Sequence, residues 1–104
     1  MAQNDKYRQR MEMDASAQAA NAHLVDDVSA ALETLDRSAL TEDAVRAAIL
    51  GAGVEDAVQL TGDERAYAFG AAVPGGCVYG QIDQTAVTVE LGGFIYDGGC
   101  LPAQ

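Results

Sequence analysis

Tryptophan is absent from this chain, and two phenylalanines and four tyrosines are its whole aromatic complement. Twenty residues are alanine. A core must therefore draw its bulk from a short list of Leu, Val, Ile, Phe and Tyr side chains. Histidine occurs once, as His23, which leaves too few nitrogen and sulfur ligands for a four-coordinate zinc cage. No run of 18 apolar residues exists, so no segment reads as a membrane-spanning helix. Positive charge is scarce as well: six Lys and Arg face sixteen Asp and Glu, a net charge of -10. From Met11 onward, fifteen acids meet only Arg37, Arg46 and Arg65. Such a body repels nucleic-acid phosphate and anionic lipid, so nucleic-acid binding is not expected. Acidity of this kind ordinarily serves solubility; its sharper use is to meet a basic partner or to mimic a nucleic acid.

What is present fits one compact domain of 104 residues, 49% hydrophobic and 21% charged. Residues 1–20 are polar and alanine-rich, and read as a helical arm or a disordered tail ahead of a single domain over 21–104. An apolar stripe at Val25, Val28, Leu32 and Leu35 alternates spacings of three and four, as one face of a helix requires. It predicts a helix over about 14–36, ended by Asp36-Arg37-Ser38. A second helix starts at Thr41, a good N-cap, with Glu42 and Asp43 at the positive end of its dipole. Leu40 and Val45 can staple its first turn. Gly51 and Gly53 stop it.

Beyond Ala57 the period falls from 3.6 to 2. Strands are expected over 57–61, 65–73, 77–82 and 85–91, joined by Gly-, Pro- and Asp-containing turns. In the second, Tyr67, Phe69, Ala71 and Val73 share one face. The opposite face is Ala66, Ala68, Gly70 and Ala72, small enough to lie beneath a closely packed helix. Phe94-Ile95-Tyr96 is a short final strand or a packed loop. Two N-terminal helices followed by about four consecutive strands predict an α+β domain, with helices on one face of an antiparallel meander.

Chemistry is thinly represented. Cys77 and Cys100 are the only cysteines, and each follows a Gly-Gly pair. The long interval between them excludes a CxxC redox motif, and a disulfide is the favoured reading, with two free buried thiols as the alternative. Closing that loop would stabilise the fold by about 3 kcal/mol in the chain-entropy model. His23 has no evident nucleophile to serve and reads as a solvated helix residue. The acid pairs Asp26-Asp27, Glu42-Asp43, Glu55-Asp56 and Asp63-Glu64 lack the spacing of an EF-hand loop and cannot be placed across a glycosidase cleft. They read as solvated acids at caps and turns. The glycines form neither GxGxxG nor GxxxxGK[ST] and read as turns. No catalytic, cofactor-binding or metal-binding residue is therefore expected, and no cofactor.

Three phrases carry a resemblance: Val45-Arg46-Ala47-Ala48-Ile49-Leu50-Gly51-Ala52-Gly53, Val58-Gln59-Leu60-Thr61, and Gly76-Cys77-Val78-Tyr79-Gly80-Gln81 paired with Gly98-Gly99-Cys100-Leu101. From about Leu24 onward the chain resembles a family of small uncharacterised domains in secreted proteins and lipoproteins of actinobacteria. That resemblance implies an extracytoplasmic, disulfide-closed, non-enzymatic module. The opening MAQNDKYRQRMEMD has no apolar signal core, which taken literally means cytoplasm, whereas a cysteine pair points to an oxidising compartment. A leader removed ahead of Met1 would reconcile the two. The expectation is an extracellular or envelope-associated interaction domain with a protein partner. The alternative is an acidic inhibitor or immunity-type protein that binds a basic one.

Overall fold

The computed structural model describes residues 12–55, 57–95 and 99–100. Two helices, α1 (Ala15–Glu33) and α2 (Glu42–Gly51), precede four strands: β1 (Val58–Asp63), β2 (Ala66–Val73), β3 (Gly76–Asp83) and β4 (Val87–Gly92). The strands form one antiparallel sheet in the order β1-β2-β3-β4. The α+β meander expected from the pattern is the fold observed, with β1 and β4 at its edges.

Helix α1 is rich in alanine, the strongest helix former, and buries Asn21, Leu24, Val28 and Leu32 along one seam. That seam begins earlier than the apolar stripe suggests, because Met13 is buried and Ala17 packs against the core. The helix also stops sooner than expected. Thr34 caps it, donating its N–H and its hydroxyl to the Ala31 carbonyl. Asp36-Arg37-Ser38 forms a separate turn, in which Asp36 accepts from the Ser38 amide and hydroxyl. Helix α2 begins as its sequence dictates: Thr41 Oγ1 accepts the Ala44 amide at 3.1 Å. It closes at Gly53, whose φ is +116°, while Gly51 stays helical.

Alternation along the strands sorts their residues into two faces. The first carries Val58 and Leu60 of β1, Tyr67, Phe69, Ala71 and Val73 of β2, Val78 and Ile82 of β3, and Val87, Val89 and Leu91 of β4. Together with Leu24, Val28, Leu32, Leu40, Val45, Ile49 and Val54 from the helical layer, these residues make the core. Phe69 lies at its centre, fully buried, and burial of a side chain this size is worth about 1.5–3 kcal/mol. The expectation that a helix covers the small-residue face of β2 is therefore wrong. Helices follow buried apolar area, and that area is on the Tyr67–Phe69 side. Strand β1 runs past its expected end at 61 to take in Gly62 and Asp63, and Glu64-Arg65 makes the β1–β2 turn.

Among the described residues one polar side chain is buried, Asn21, at 4% exposure. Its Nδ2 donates to Ala17 O at 2.8 Å within the helix and to Pro74 O at 2.9 Å in the β2–β3 turn. Beside it, Gly75 has φ +88°, and a Cβ there would come within 2.6 Å of the Ala17 methyl. The β2–β3 turn is thus pinned to α1 by one amide and by close backbone approach.

Candidate functional site: the strapped face of the sheet

The second face of the sheet is lined by Gln59, Thr61 and Asp63 of β1, Ala66, Ala68, Gly70 and Ala72 of β2, Cys77, Tyr79 and Gln81 of β3, and Thr88 and Glu90 of β4. Among the described residues no helix lies on it. At one end it is covered by the chain that follows β4. Cys77 and Cys100 form a disulfide with a Cα–Cα distance of 5.6 Å, inside the usual range for such bridges. Both cysteines are buried, as is Ile95, yet none of the three belongs to the helix–sheet core. Cys77 lies on the second face, so the disulfide sits on the side of the sheet opposite the helix–sheet core.

Three further contacts set this strap in place. The Cys100 amide donates to Gln59 Oε1 at 3.2 Å. The Ile95 amide donates to Gly99 O at 3.1 Å. The Cys100 backbone rests on Gly70, where a Cβ would approach its carbonyl oxygen to 2.8 Å. The choice between a packed loop and a final strand at Phe94–Tyr96 resolves to an isolated bridge at Ile95; Tyr96 lies outside the described residues.

Thr61, Ala68, Gln81 and Thr88 form one cross-strand row, clear of the strap among the described residues, and Gln59, Gly70, Tyr79 and Glu90 form the next, where Cys100 meets Gln59 and Gly70. Gln59, Gln81, Thr88 and Glu90 are exposed, and Thr61, Ala68 and Tyr79 are half-buried. The result is a largely polar surface with small side chains along β2. It offers hydrogen-bonding groups and shape.

The other residues singled out by sequence are scattered. His23 is exposed and lines an open groove of about 350 Å³ with Asn21, Leu24, Gly53, Val54, Glu55, Ala72, Val73 and Pro74. Asp26 and Asp27 are exposed on α1. Glu42 and Asp43 sit in the first turn of α2, where Arg46 Nη1 reaches Glu42 at 3.1 Å and Asp43 at 4.0 Å. Asp63 Oδ1 accepts the Arg65 amide at 2.9 Å and shapes the β1–β2 turn. Glu55 is exposed, and its neighbour Asp56 lies outside the described residues. Among the described residues, no three His, Cys, Asp or Glu side chains come together as a metal cluster.

Two carboxyls are held below the ordinary aspartate range by local hydrogen bonds. Asp83 accepts from the Thr85 and Ala86 amides and from the Thr85 hydroxyl, the Thr85 amide mattering most. Asp36 is lowered chiefly by the Ser38 hydroxyl and then by the Ser38 amide. Both build turns and face solvent.

Sequence reasoning missed Asn21, Gln59 and Gly70. An asparagine in phase with Leu24, Val28 and Leu32 was the available signal for the first. The other two act on residues distant in the chain, and no local pattern announces them. No protein-family model, curated protein or solved structure matches this chain.

Proposed function

We propose that this chain is a small non-enzymatic interaction domain that works outside the cytoplasm and presents the open part of its second sheet face to a protein partner. The observation that carries the reading is the half-covered sheet. One end of the face carries the Cys77–Cys100 strap, and the remainder presents a cross-strand row of Thr61, Ala68, Gln81 and Thr88. A sheet face with a covalently fixed strap is preorganised, which limits the ordering cost of association. A disulfide persists in oxidising compartments, which supports an extracellular or envelope location and agrees with the resemblance to secreted actinobacterial domains.

An acidic inhibitor or immunity-type role is the second reading, favoured by charge. Helix α1 carries no Lys or Arg along Ala15–Glu33, and Asp26, Asp27 and Glu33 are exposed on it. A basic partner would meet that surface first, with steering that fades as salt rises.

One experiment separates the two. Oxidised protein is immobilised, a captured partner is identified by mass spectrometry, and binding is repeated with the purified partner. A Thr61→Arg/Gln81→Arg protein is then compared with an Asp26→Lys/Asp27→Lys/Glu33→Lys protein. The face reading expects at least a tenfold affinity loss from the first and little from the second. The reverse pattern selects the inhibitor reading, and no loss from either removes both.

A further inference from the structure

Asn21 commits both of its amide hydrogens to carbonyl oxygens, Ala17 O at 2.8 Å and Pro74 O at 2.9 Å. Turning the amide over would set its oxygen against both carbonyls, so its orientation is fixed. Among the described residues nothing donates to Asn21 Oδ1. A side chain only 4% exposed rarely keeps an acceptor without a donor. Nor is this oxygen sealed in the interior, because no described side-chain oxygen is both sealed and unpartnered. Its outlet is the groove of about 350 Å³ that Asn21 lines.

That groove lies between α1, the α2–β1 loop and the end of β2. Gly53 lets the loop come close to the helix: a Cβ there would stand 3.5 Å from a Leu24 methyl. Leu24, Val54 and Val73 give the groove apolar walls, and Glu55, exposed, sets a carboxylate beside them. His23 adds an exposed imidazole, an acceptor in its neutral form. The volume is at the low end of ligand sites, which run from about 300 to 1,000 Å³, so it suits a single side chain. An unpaired acceptor, a carboxylate and aliphatic walls complement a group with N–H donors, positive charge and a short hydrocarbon stem. A lysine side chain combines all three. The surroundings share the sign of Glu55: Asp26 and Asp27 are exposed farther along α1, and the chain carries a net charge of -10.

We propose that this groove receives a lysine side chain of a basic protein partner. The ammonium donates to Asn21 Oδ1 and pairs with Glu55, while its methylenes lie along Leu24, Val54 and Val73. The proposal rests on the reading in which the partner is basic, and gives that reading a defined point of contact.

Nuclear magnetic resonance titration of the oxidised full chain with Nα-acetyl-lysine methylamide tests it. The reporters are the methyl groups of Leu24, Val54 and Val73 and the side-chain amide of Asn21. Saturable shifts confined to these groups are expected. Glu55→Gln, a change at an exposed loop position, should weaken binding about threefold or more, the scale of one exposed ion pair. Substitution of Asn21 would disturb the fold, so its oxygen is tested from the ligand side. The trimethyl-lysine analogue keeps the charge without an N–H and should bind about threefold more weakly or worse, and the norleucine analogue should not bind. Absence of saturable shifts, equal binding of the three ligands, or shifts spread over Asp26, Asp27 and Glu33 overturns the proposal. Tighter binding of butylammonium than of the capped lysine also overturns it, in favour of a free amine. The titration uses no partner, so its failure is distinct from failure to capture one.

Discussion

Gly70 and Cys100 touch through their backbones: the strap crosses the central strand at the one position where β2 has no side chain. A Cβ on Gly70 would lie 2.8 Å from the Cys100 carbonyl oxygen and 2.9 Å from its carbonyl carbon. Gly70→Ala should therefore push the strap outward and destabilise the protein by about 1–3 kcal/mol, the usual cost of overpacking. Ala68→Ser, two residues along on the same face but clear of the strap, should change stability by less than about 0.5 kcal/mol. Denaturant unfolding of the two variants checks the contrast.

Removal of the disulfide tests how far the helix–sheet core stands without the strap. Cys77 and Cys100 lie outside the helix–sheet core, so Cys77→Ala/Cys100→Ala should retain its far-ultraviolet circular dichroism and its α+β fold. The loop it opens is worth about 3 kcal/mol of unfolded-state entropy. The expected outcome is a lower denaturation midpoint with preserved secondary structure. Loss of the dichroism at neutral pH and low temperature would show that the strap is needed for the sheet to form at all.

How much of this was legible in the sequence follows from the range of the interactions. The Thr41 cap and the alternating strands are local or periodic and follow from spacing, whereas the expected α1 stripe of Val25, Val28, Leu32 and Leu35 shares only Val28 and Leu32 with the buried seam of Asn21, Leu24, Val28 and Leu32. The face assignment of β2 failed for a different reason. The row Ala66, Ala68, Gly70 and Ala72 suggests room for a helix, whereas the close approach is to Gly70 and the approaching group is the Cys100 backbone. That contact spans 30 residues, and the Gln59–Cys100 hydrogen bond spans 41. Patterns of period two or 3.6 carry no information over such distances. The open row at Thr61, Ala68, Gln81 and Thr88 was invisible likewise, because it exists only once four strands are in register.

Asn21 couples helix to hairpin, and its loss has a defined signature. Asn21→Ala removes the donor to Pro74 O in a region where the amide is almost fully buried. A carbonyl left without its partner costs about 1–3 kcal/mol. Asn21→Asp should cost more, since a carboxylate would face the Ala17 and Pro74 carbonyl oxygens that the amide now serves. Thermal unfolding should rank the proteins natural, Asn21→Ala, Asn21→Asp. Faster hydrogen exchange at Gly75 and Gly76 in both variants would localise the damage to the turn.

Asp83 provides the pH dependence. Its carboxylate accepts three hydrogen bonds from Thr85 and Ala86, so its folded-state pKa lies below that of the unfolded chain. A depressed carboxyl contributes stability that is present above its unfolded value, about 3.9. That contribution is lost as the pH falls from there through the folded value. Asp36 adds a contribution of the same sign. Asp83→Asn keeps an acceptor for the turn but cannot titrate. Its stability should fall less steeply than the natural protein's between pH 5 and pH 2, with the two curves running parallel above about pH 5. Unfolding free energies measured across that range decide the matter. A natural protein and an Asp83→Asn variant with the same acid slope would mean that the turn binds the protonated and ionised carboxyl equally well.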